Sequence, residues 1–440
     1  MNNKERLALA EWAMNLTLQK GASEASVVIL RQQPVKIEFR DQKLETLKQS
    51  LQNSLSLQIY ADHRYSENST NDLRKGSLEK FIEDVVTSTK YLAQDEYRSL
   101  PNPQYYPENT NIDLKIKDEQ YESLTLSERV KMAAEIEEIA MAQSSHIIST
   151  TAWCSDVHSL IARIHSNGFS GDFEGTRFSA GAEVTVKDKD GCRPEDWYAA
   201  NTRFHKGLPS AEMLGKNAAQ RALRKMGQKK IASGRYNMLV ENRVGNRLIS
   251  LLTRPMNGQA LQQKSSFLEG MQGQKIASEK LTLIDDPLLK TGMGSRLFDG
   301  EGLAAQRRTM IDKGVLQYYY IDHYYGKKLG MEPTTGSSSN FVFEYGTRKL
   351  EEMRKDIRDG ILITGFIGGN SNPTTGDFSF GIMGSLIENG EFTKPIYEMN
   401  ISGNAKEFWN QLVEVGNDPY PYASCQSPSL FFEKINFSGV

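Results

Sequence analysis

The chain has 440 residues, a formal net charge of −2, and 38% hydrophobic against 25% charged residues, which is typical of a globular protein with two or three domains. The near-neutral charge argues against a protein built around a polyanion, and no run of 18 apolar residues is present that would cross a membrane. The first residues do not resemble a secretory signal, and the three cysteines are too scattered for a disulfide framework, so we expect a cytoplasmic protein.

Residues 1–205 predict an N-terminal domain in which helices and strands are mixed. Apolar residues at helical spacing predict a helix over Lys4–Lys20, and a capping-box pair, Thr125 and Glu128, predicts the start of another. A further helix is predicted with Ser77 as its N-cap. Period-two alternation of apolar residues predicts half-buried antiparallel strands in residues 35–39, 55–59 and 146–186.

Residues 206–231 predict a basic linker helix between two domains. Seven Lys or Arg residues and no acidic residue lie between Glu212 and Glu241. This run is compatible with a nucleic-acid patch, or with a solvated helix whose basic last turn complements the helix dipole. The slightly negative charge of the whole chain favours the second interpretation, so we expect no tight binding of nucleic acid.

Residues 232–440 predict a β-dominated, glycine-rich C-terminal domain, so the fold class of the whole chain is α+β. A short strand over Tyr236–Val240 precedes a helix over Asn242–Leu252. Further along, the sequence predicts a strand over Val315–Tyr320 and a charged amphipathic helix over Glu351–Asp359.

The most distinctive segment runs from Gly365 to Glu391 and contains seven glycines in 27 residues. Strand-forming apolar residues surround these glycines, and glycine within a strand marks a bulge or the close approach of another backbone. Asn389-Gly390 is a type I′ turn signal that predicts a hairpin. The segment favours either strands that wall a ligand cleft or a purely structural β core, and glycine content alone does not separate the two.

Residue types and spacing reveal no catalytic centre. None of the six histidines lies three or four residues from another, so no helix presents an adjacent-turn histidine pair to a metal. The chain also lacks a Gly-x-Ser-x-Gly elbow, a phosphate loop and a complete dinucleotide-binding glycine pattern. Cys425 is a conceivable nucleophile, yet no histidine follows it in the chain. No catalytic residue and no metal ligand is therefore predicted.

Several ordered segments of the C-terminal domain carry a family resemblance. They are Gly376–Ser379, Ile387–Glu391, Ile401–Asn404, Val415–Asp418, Lys264–Leu268, Asp299–Gly302 and Phe437–Gly439. Together they resemble the C-terminal signature of the TldD/PmbA family. The resemblance covers nearly all of the second domain, and it covers the first domain by general layout only.

The resemblance implies a family described both as modulators of DNA gyrase and as two-subunit zinc peptidases that act on small or unfolded polypeptides. One subunit type carries His-Glu-x-x-x-His on a helix early in the second domain, where the glutamate is placed as general base. The corresponding segment here, Arg243–Arg254, contains neither His nor Glu. The chain thus resembles the metal-free PmbA (or TldE) subunit type. Zinc is expected only in a sister subunit, because Cys425, near the position of a cysteine ligand, cannot hold it alone.

Two classes of function follow from this resemblance. The chain is either the metal-free half of a heterodimeric metallopeptidase, walling the cleft that holds a peptide, or a non-enzymatic homodimeric scaffold. Its expected partners are accordingly a zinc-bearing sister subunit or a second copy of itself, together with a peptide substrate. The residues assigned to the cleft are Gly368, Gly369, Gly376, Asp377, Ser379, Asn389, Gly390, Asn404 and Cys425.

The paired glycines Gly368 and Gly369 give this assignment a direct test. If they keep an exposed backbone edge open to a peptide, valine at either position leaves the fold intact and reduces peptide capture. The rival explanation is that both glycines adopt positive φ in a tight turn, so that valine destabilises the domain instead.

Overall fold

The computed structural model describes residues 3–108 and 112–440 of the chain. Within its N-terminal half, these residues form α1 (Asn3–Gln19), β1 (Glu24–Arg40), β2 (Lys43–Gln49), β3 (Gln52–Ala61), β4 (Arg64–Thr70), α2 (Lys75–Thr89), α3 (Leu126–Met141), β5 (Ile147–His165), β6 (Ser170–Val186), β7 (Glu195–Thr202) and α4 (Ala211–Leu223). The strands make one antiparallel sheet in the order β4-β3-β1-β5-β6-β7, and β2 pairs with the far end of β1.

Helices cover one face of this sheet because alternate residues of its long strands are apolar. α1 and α2 pack over β1 and β3 in a buried cluster that includes Ile29 and Leu57. α3 and α4 pack over β5 and β6 around Ala152 and Val184. The helix that the sequence places in the basic linker, α4, therefore lies against the N-terminal sheet. It contributes Leu214 and three buried alanines to that cluster, which are Ala218, Ala219 and Ala222.

The two predicted N-caps in this half have different outcomes. Thr125 caps α3 as predicted, since its Oγ1 accepts the Glu128 N–H at 3.2 Å and the Glu128 carboxylate accepts the Thr125 N–H at 2.7 Å. The prediction that Ser77 caps the second helix is wrong, because the N-cap of α2 is Arg74. The Arg74 carbonyl accepts the Leu78 N–H, which places Ser77 inside the first turn.

The C-terminal half is dominated by strands, and the predicted α+β fold class is confirmed. Its described elements are β8 (Gly234–Val240), α5 (Asn246–Thr253), α6 (Gly258–Gln262), β9 (Leu283–Asp285), β10 (Arg308–Asp312), β11 (Val315–Leu316), α7 (His323–Leu329), β12 (Phe341–Phe343), α8 (Leu350–Met353), β13 (Asp359–Ser371), β14 (Asp377–Glu388), β15 (Glu391–Asn404), α9 (Ala405–Asn410), β16 (Leu412–Val415) and β17 (Leu430–Ser438). None of the helices in the described part of the chain is both long and apolar enough to cross a bilayer.

The main C-terminal sheet runs in the order β15-β14-β13-β8-β17-β16, and β15 also pairs with β17. That extra pairing closes the path of strands on itself around a core in which Phe408 stacks on Phe432 at 4.6 Å between ring centres. All neighbours are antiparallel except β8 and β13, which are parallel. A second, four-stranded sheet has the order β11-β10-β9-β12.

Two predicted elements of this half are wrong in length. Val315–Tyr320 is not one strand: β11 ends at Leu316, and the Tyr320 N–H bonds the Met256 carbonyl at 2.9 Å, so the tyrosine end is buried beside α6 rather than paired in a ladder. The helix expected over Glu351–Asp359 is only α8 and one 3-10 turn, because Asp359 already belongs to β13.

The two halves of the chain meet along residues 291–302. The Thr291 N–H bonds the Leu114 carbonyl at 2.8 Å, and the Arg203 guanidinium donates to the Met293 carbonyl at 2.7 Å. This segment contains no helix or strand and is held to the N-terminal half of the chain by these bonds.

The junction also contains a titratable group that makes stability depend on pH. Burial raises the pKa of Glu301 to about 8 from an ordinary value of 4.5, aided by Asp322 and Asp299 and opposed by the His323 N–H and by Arg98. The folded chain then binds more protons than the unfolded chain between these two pH values, so stability falls as pH rises through this window. We expect Glu301→Gln to flatten that decline in urea unfolding at pH 5, 7 and 9; an unchanged pH dependence would contradict the assignment.

Candidate functional site

Three depressions follow one another along the outer side of α5, and we call them together the α5 groove. The first, of about 460 Å³, is lined by Arg243, Arg247 and residues 364–366 of β13. A small second one lies between Ser250, Arg254 and residues 371–376. The third, of about 580 Å³, runs from Arg254 to the polar loop at residues 336–338.

Three arginines line this groove because of the helical repeat. Arg247 and Arg254 are seven residues apart and therefore point to nearly the same side of α5, and Arg243 lies in the turn that leads into the helix. The opposite side of α5 is apolar and buried in the C-terminal core through Leu248, Ile249 and Leu252. The amphipathic sequence of α5 thus forces its cationic side outward.

Aromatic rings hold the two arginines of the first depression. The Arg243 guanidinium lies 4.5 Å from the ring centre of Trp197, which is 47% exposed, and donates to the Trp197 carbonyl at 3.1 Å. The Arg247 guanidinium lies 4.4 Å from the ring centre of Phe380. The Nε atoms of both arginines and Nη1 of Arg243 are buried without a hydrogen-bond partner among the described residues.

Carboxylates share this first depression with the arginines. Glu183, Glu195 and Asp196 belong to its lining. Burial raises the pKa of Glu183, with Glu195 as the next cause. The depression therefore has one cationic wall from α5 and one acidic wall from β6 and β7.

The paired glycines of β13 form a bulge that Arg247 holds in place. Gly368 and Gly369 have φ values of +61° and +91°, and the register of β13 against β14 shifts between Ile367 and Asn370. Arg247 Nη2 donates to both glycine carbonyls, at 3.3 and 3.1 Å. The positive φ values are those that the rival, structural explanation of these glycines requires.

Gly376, Asp377 and Asn404 form a second cluster, beside the small middle depression. Asn404 Nδ2 donates to the Thr375 carbonyl at 2.9 Å and to the Asp377 carboxylate at 3.0 Å. The Thr375 hydroxyl and then Asn404 hold the pKa of Asp377 below its ordinary value. Gly376 lines the depression with φ +87°. Ser379 lies near both clusters, because it pairs with Asn370 across the bulge.

The remaining predicted residues lie elsewhere. Asn389 and Gly390 have φ values of +52° and +79° and form the predicted two-residue turn between β14 and β15. At about 3.3 Å per residue, the length of β14 separates this turn from Asp377 by about 36 Å. Cys425 is buried in a parallel bridge with Phe341. Of the nine predicted residues, only Gly376 belongs to the groove lining. Gly368, Gly369, Asp377, Ser379 and Asn404 lie beside the groove, and the other three lie elsewhere.

Arg243, Arg247 and Trp197 are site residues that the sequence reasoning missed. In the sequence, the absence of histidine from the segment of α5 is considered, and the arginines that this segment contains are not. The spacing of four and then seven residues between Arg243, Arg247 and Arg254 was the available signal.

The groove does not fit a zinc ion. Guanidinium groups are permanently charged donors and do not ligate metals. Within the described residues, no three His, Cys, Asp or Glu side chains are grouped so that they could hold a metal. Burial raises the pKa of the Cys425 thiol to about 12, so at neutral pH it is protonated, whereas zinc binds the thiolate.

Two family models match the chain. The PmbA/TldA metallopeptidase central domain covers residues 119–226, and the PmbA/TldA metallopeptidase C-terminal domain covers residues 233–439. Among curated proteins, metalloprotease PmbA of Escherichia coli O157:H7 is 25% identical over 429 residues, which are 96% of this chain and 94% of that protein. The PmbA homologue of Haemophilus influenzae is also 25% identical, over 97% of this chain and 95% of its own length.

Solved structures extend the likeness to the whole fold. The crystal structure of a candidate modulator of DNA gyrase from Bacteroides thetaiotaomicron has a TM-score of 0.97 and 42% identity, and each chain covers 100% of the other. TldE from Thermococcus kodakarensis shares the fold, with a TM-score of 0.87 at 20% identity over 98% of this chain and 100% of that one. Since the two family models together match more than half of the chain, this protein belongs to the PmbA/TldD family.

Proposed function

We propose that the chain is the metal-free subunit of a PmbA/TldD-type metallopeptidase complex, in which it holds unfolded polypeptide beside a zinc-bearing sister subunit. The main support for the proposal is that the outer side of α5 presents arginines. Within the described residues, no group of side chains there could hold a metal ion. Membership of a family whose models are described as metallopeptidases supports the peptidase role.

The α5 groove suits an extended peptide. α5 itself, Asn246–Thr253, is about 12 Å long at 1.5 Å per helical residue, which is the length of about four residues of extended chain. Arginine donors bind backbone carbonyls and carboxylates without reading side-chain identity. Such a surface therefore retains unfolded segments of many sequences.

Mixing the chain with a zinc-bearing family member from the same organism tests this proposal. Neither protein alone should cleave casein, the mixture should cleave it, and a zinc chelator should abolish the activity. Arg247→Gln should lower kcat/KM of the mixture about tenfold through the loss of one charged hydrogen-bonding group. Arg193→Gln, an exposed change outside the groove, should leave the rate unchanged.

Two control measurements separate a loss of activity from a loss of folding or assembly. Gel filtration and thermal melts show whether Arg247→Gln still folds and assembles with the sister subunit. Chelator-sensitive cleavage by the isolated, homogeneous chain would overturn the proposal, since the activity would then need metal ligands of its own.

A non-enzymatic homodimeric scaffold is the second candidate. It is favoured by the 42% identity to the Bacteroides protein, whose name describes a modulator of DNA gyrase. In that case the chain alone sediments as a dimer and the sister subunit neither binds it nor gains activity from it.

A further inference from the structure

A cavity of about 770 Å³ lies at the junction of the two halves, and we call it the junction cavity. Its walls are the helix-free face of β5 and β6, the segment at residues 112–117, and residues 293–300 of the C-terminal half. It shares no lining residue with the α5 groove. Its volume lies in the range of pockets that enclose small organic ligands.

Four arginines line the junction cavity, namely Arg163, Arg177, Arg203 and Arg296. None of them has a carboxylate within ion-pair distance among the described residues. Arg203 donates to the Gly292 and Met293 carbonyls at 3.1 and 2.7 Å, and Arg177 to the Met293 carbonyl at 3.3 Å. Nη1 of Arg163 is buried without a partner in the described part of the chain.

The carboxylates of the cavity do not neutralise these arginines by direct contact. Four interact with other basic groups: Asp113 with Lys115, Glu119 and Glu174 with Lys117, and Asp172 with Arg6. Asp299 is 5% exposed and accepts hydrogen bonds from neutral groups, which are the N–H groups of Glu301, Leu303 and Gly336 and the Thr335 hydroxyl. The lining holds six cationic and five anionic side chains, so its excess of positive charge is one, and the arginines are not in direct contact with the carboxylates.

Burial makes this excess charge costly. Burial and then Arg177 lower the pKa of Arg203 to about 10, and burial lowers the pKa of Arg163. Both groups remain cations at neutral pH while losing hydration, and an anion bound beside them would offset that loss.

Apolar side chains complete the lining. Val157 and Ile161 come from β5, Phe173 from β6, and Leu297 and Phe298 from the opposite wall. A ligand complementary to such walls has an apolar or aromatic body as well as its charged group.

We propose that the junction cavity binds a small organic anion, whose aromatic or aliphatic body lies between Ile161, Phe173 and Phe298 and whose anionic group pairs with Arg163. This site is separate from the α5 groove, so its occupancy does not depend on peptidase activity. Because the walls come from both halves of the chain, a bound anion also joins the two halves.

Equilibrium dialysis of the full chain against naphthalene-2-carboxylate tests the proposal, with naphthalene-2-carboxamide as the uncharged counterpart. We expect saturable binding of one carboxylate per chain and at least about tenfold weaker binding of the amide. Arg163→Gln should weaken carboxylate binding by a similar factor, whereas the exposed control Arg193→Gln should not. Ile161→Trp should weaken the binding of both ligands, because the indole would occupy the position proposed for the aromatic body.

Equal affinity for the carboxylate and the amide would overturn the proposal, as would the absence of saturable binding up to millimolar concentration. Undiminished binding by folded Ile161→Trp would mean that the ligand binds elsewhere, and this result would also overturn the proposal. Circular dichroism verifies that each variant is folded. If Arg163→Gln does not fold, the comparison of carboxylate and carboxamide binding by the unchanged chain still decides the outcome.

Discussion

Replacing Gly369 with valine should lower the free energy of unfolding by about 2 to 5 kcal/mol. Its φ of +91° is strained for any residue with a Cβ, at about 1–2 kcal/mol. A Cβ there would also lie 2.2 Å from the Ser379 carbonyl oxygen, and relief of such overpacking costs about 1–3 kcal/mol more. Urea unfolding of the variant and the parent chain at equal pH measures the difference.

Gly368 supplies the matched control for this prediction. Its φ is also positive, at +61°, but a Cβ there meets no atom within 4 Å. Gly368→Ala should therefore cost only the backbone term, about 1 kcal/mol. Equal losses in the two variants would contradict the steric argument. Loss of peptide capture by Gly368→Ala at unchanged stability would support a direct role of this bulge in the groove.

Arg221→Met is the second change with a large expected effect, about 3 to 5 kcal/mol, because it leaves the largely buried Glu241 carboxylate without the cation that it bonds, while Asp196 keeps Lys225. Arg221 joins α4 to β8 through two bonds to the Glu241 carboxylate, at 2.7 and 3.0 Å, and lies 3.5 Å from Asp196. Burial alone would lower the pKa of Arg221, and Glu241 and Asp196 raise it above its ordinary value. Denaturant unfolding at neutral pH provides the measurement.

Arg224→Met is the control on the same helix. Arg224 is exposed and forms no ion pair among the described residues, so its replacement should change stability by no more than about 0.5 kcal/mol. A loss in Arg224→Met as large as in Arg221→Met would mean that helix propensity, rather than the buried pair, sets the effect.

The Arg221 pair also bears on the basic run that the sequence shows. Arg221 contacts Glu241, and Lys225 lies 3.2 Å from Asp196. The basic run contains no acidic residue of its own, and its ion-pair partners Glu241 and Asp196 come from other segments of the chain. Weak binding of nucleic acid stays a prediction, and these two ion pairs support it because they reduce the positive charge available to a phosphate backbone.

Local signals predicted local structure well. The capping box of Thr125 and the two-residue turn at Asn389-Gly390 each depend on a few adjacent residues, and both are present in the structure. Val315–Tyr320 was mispredicted because aromatic and β-branched residues suit a buried irregular segment as well as a strand. Tertiary contacts with residues near Met256 decide between those outcomes, and no short window of sequence contains them.

The groove was only half predictable for the same reason. The glycines of β13 stand out in the sequence, but their partner Arg247 is 121 and 122 positions away. Trp197, which holds Arg243, comes from the other half of the chain. Such pairs become neighbours only when the strand order is known, and alternation along one strand does not give that order.

The position of β8 between β13 and β17 has a consequence for synthesis in the cell. Arg235 on β8 bonds Asn436 on β17, and the two residues are 201 positions apart. At about 5–20 residues per second, a ribosome needs about 10–40 s to make that intervening chain. Met238, Leu239 and Val240, fully buried in the finished fold, have no partner on either edge until β13 is made, and the edge that faces β17 stays unpaired for the whole interval. The nascent chain therefore carries an apolar strand with one unpaired edge, a feature that favours aggregation, until β17 is made.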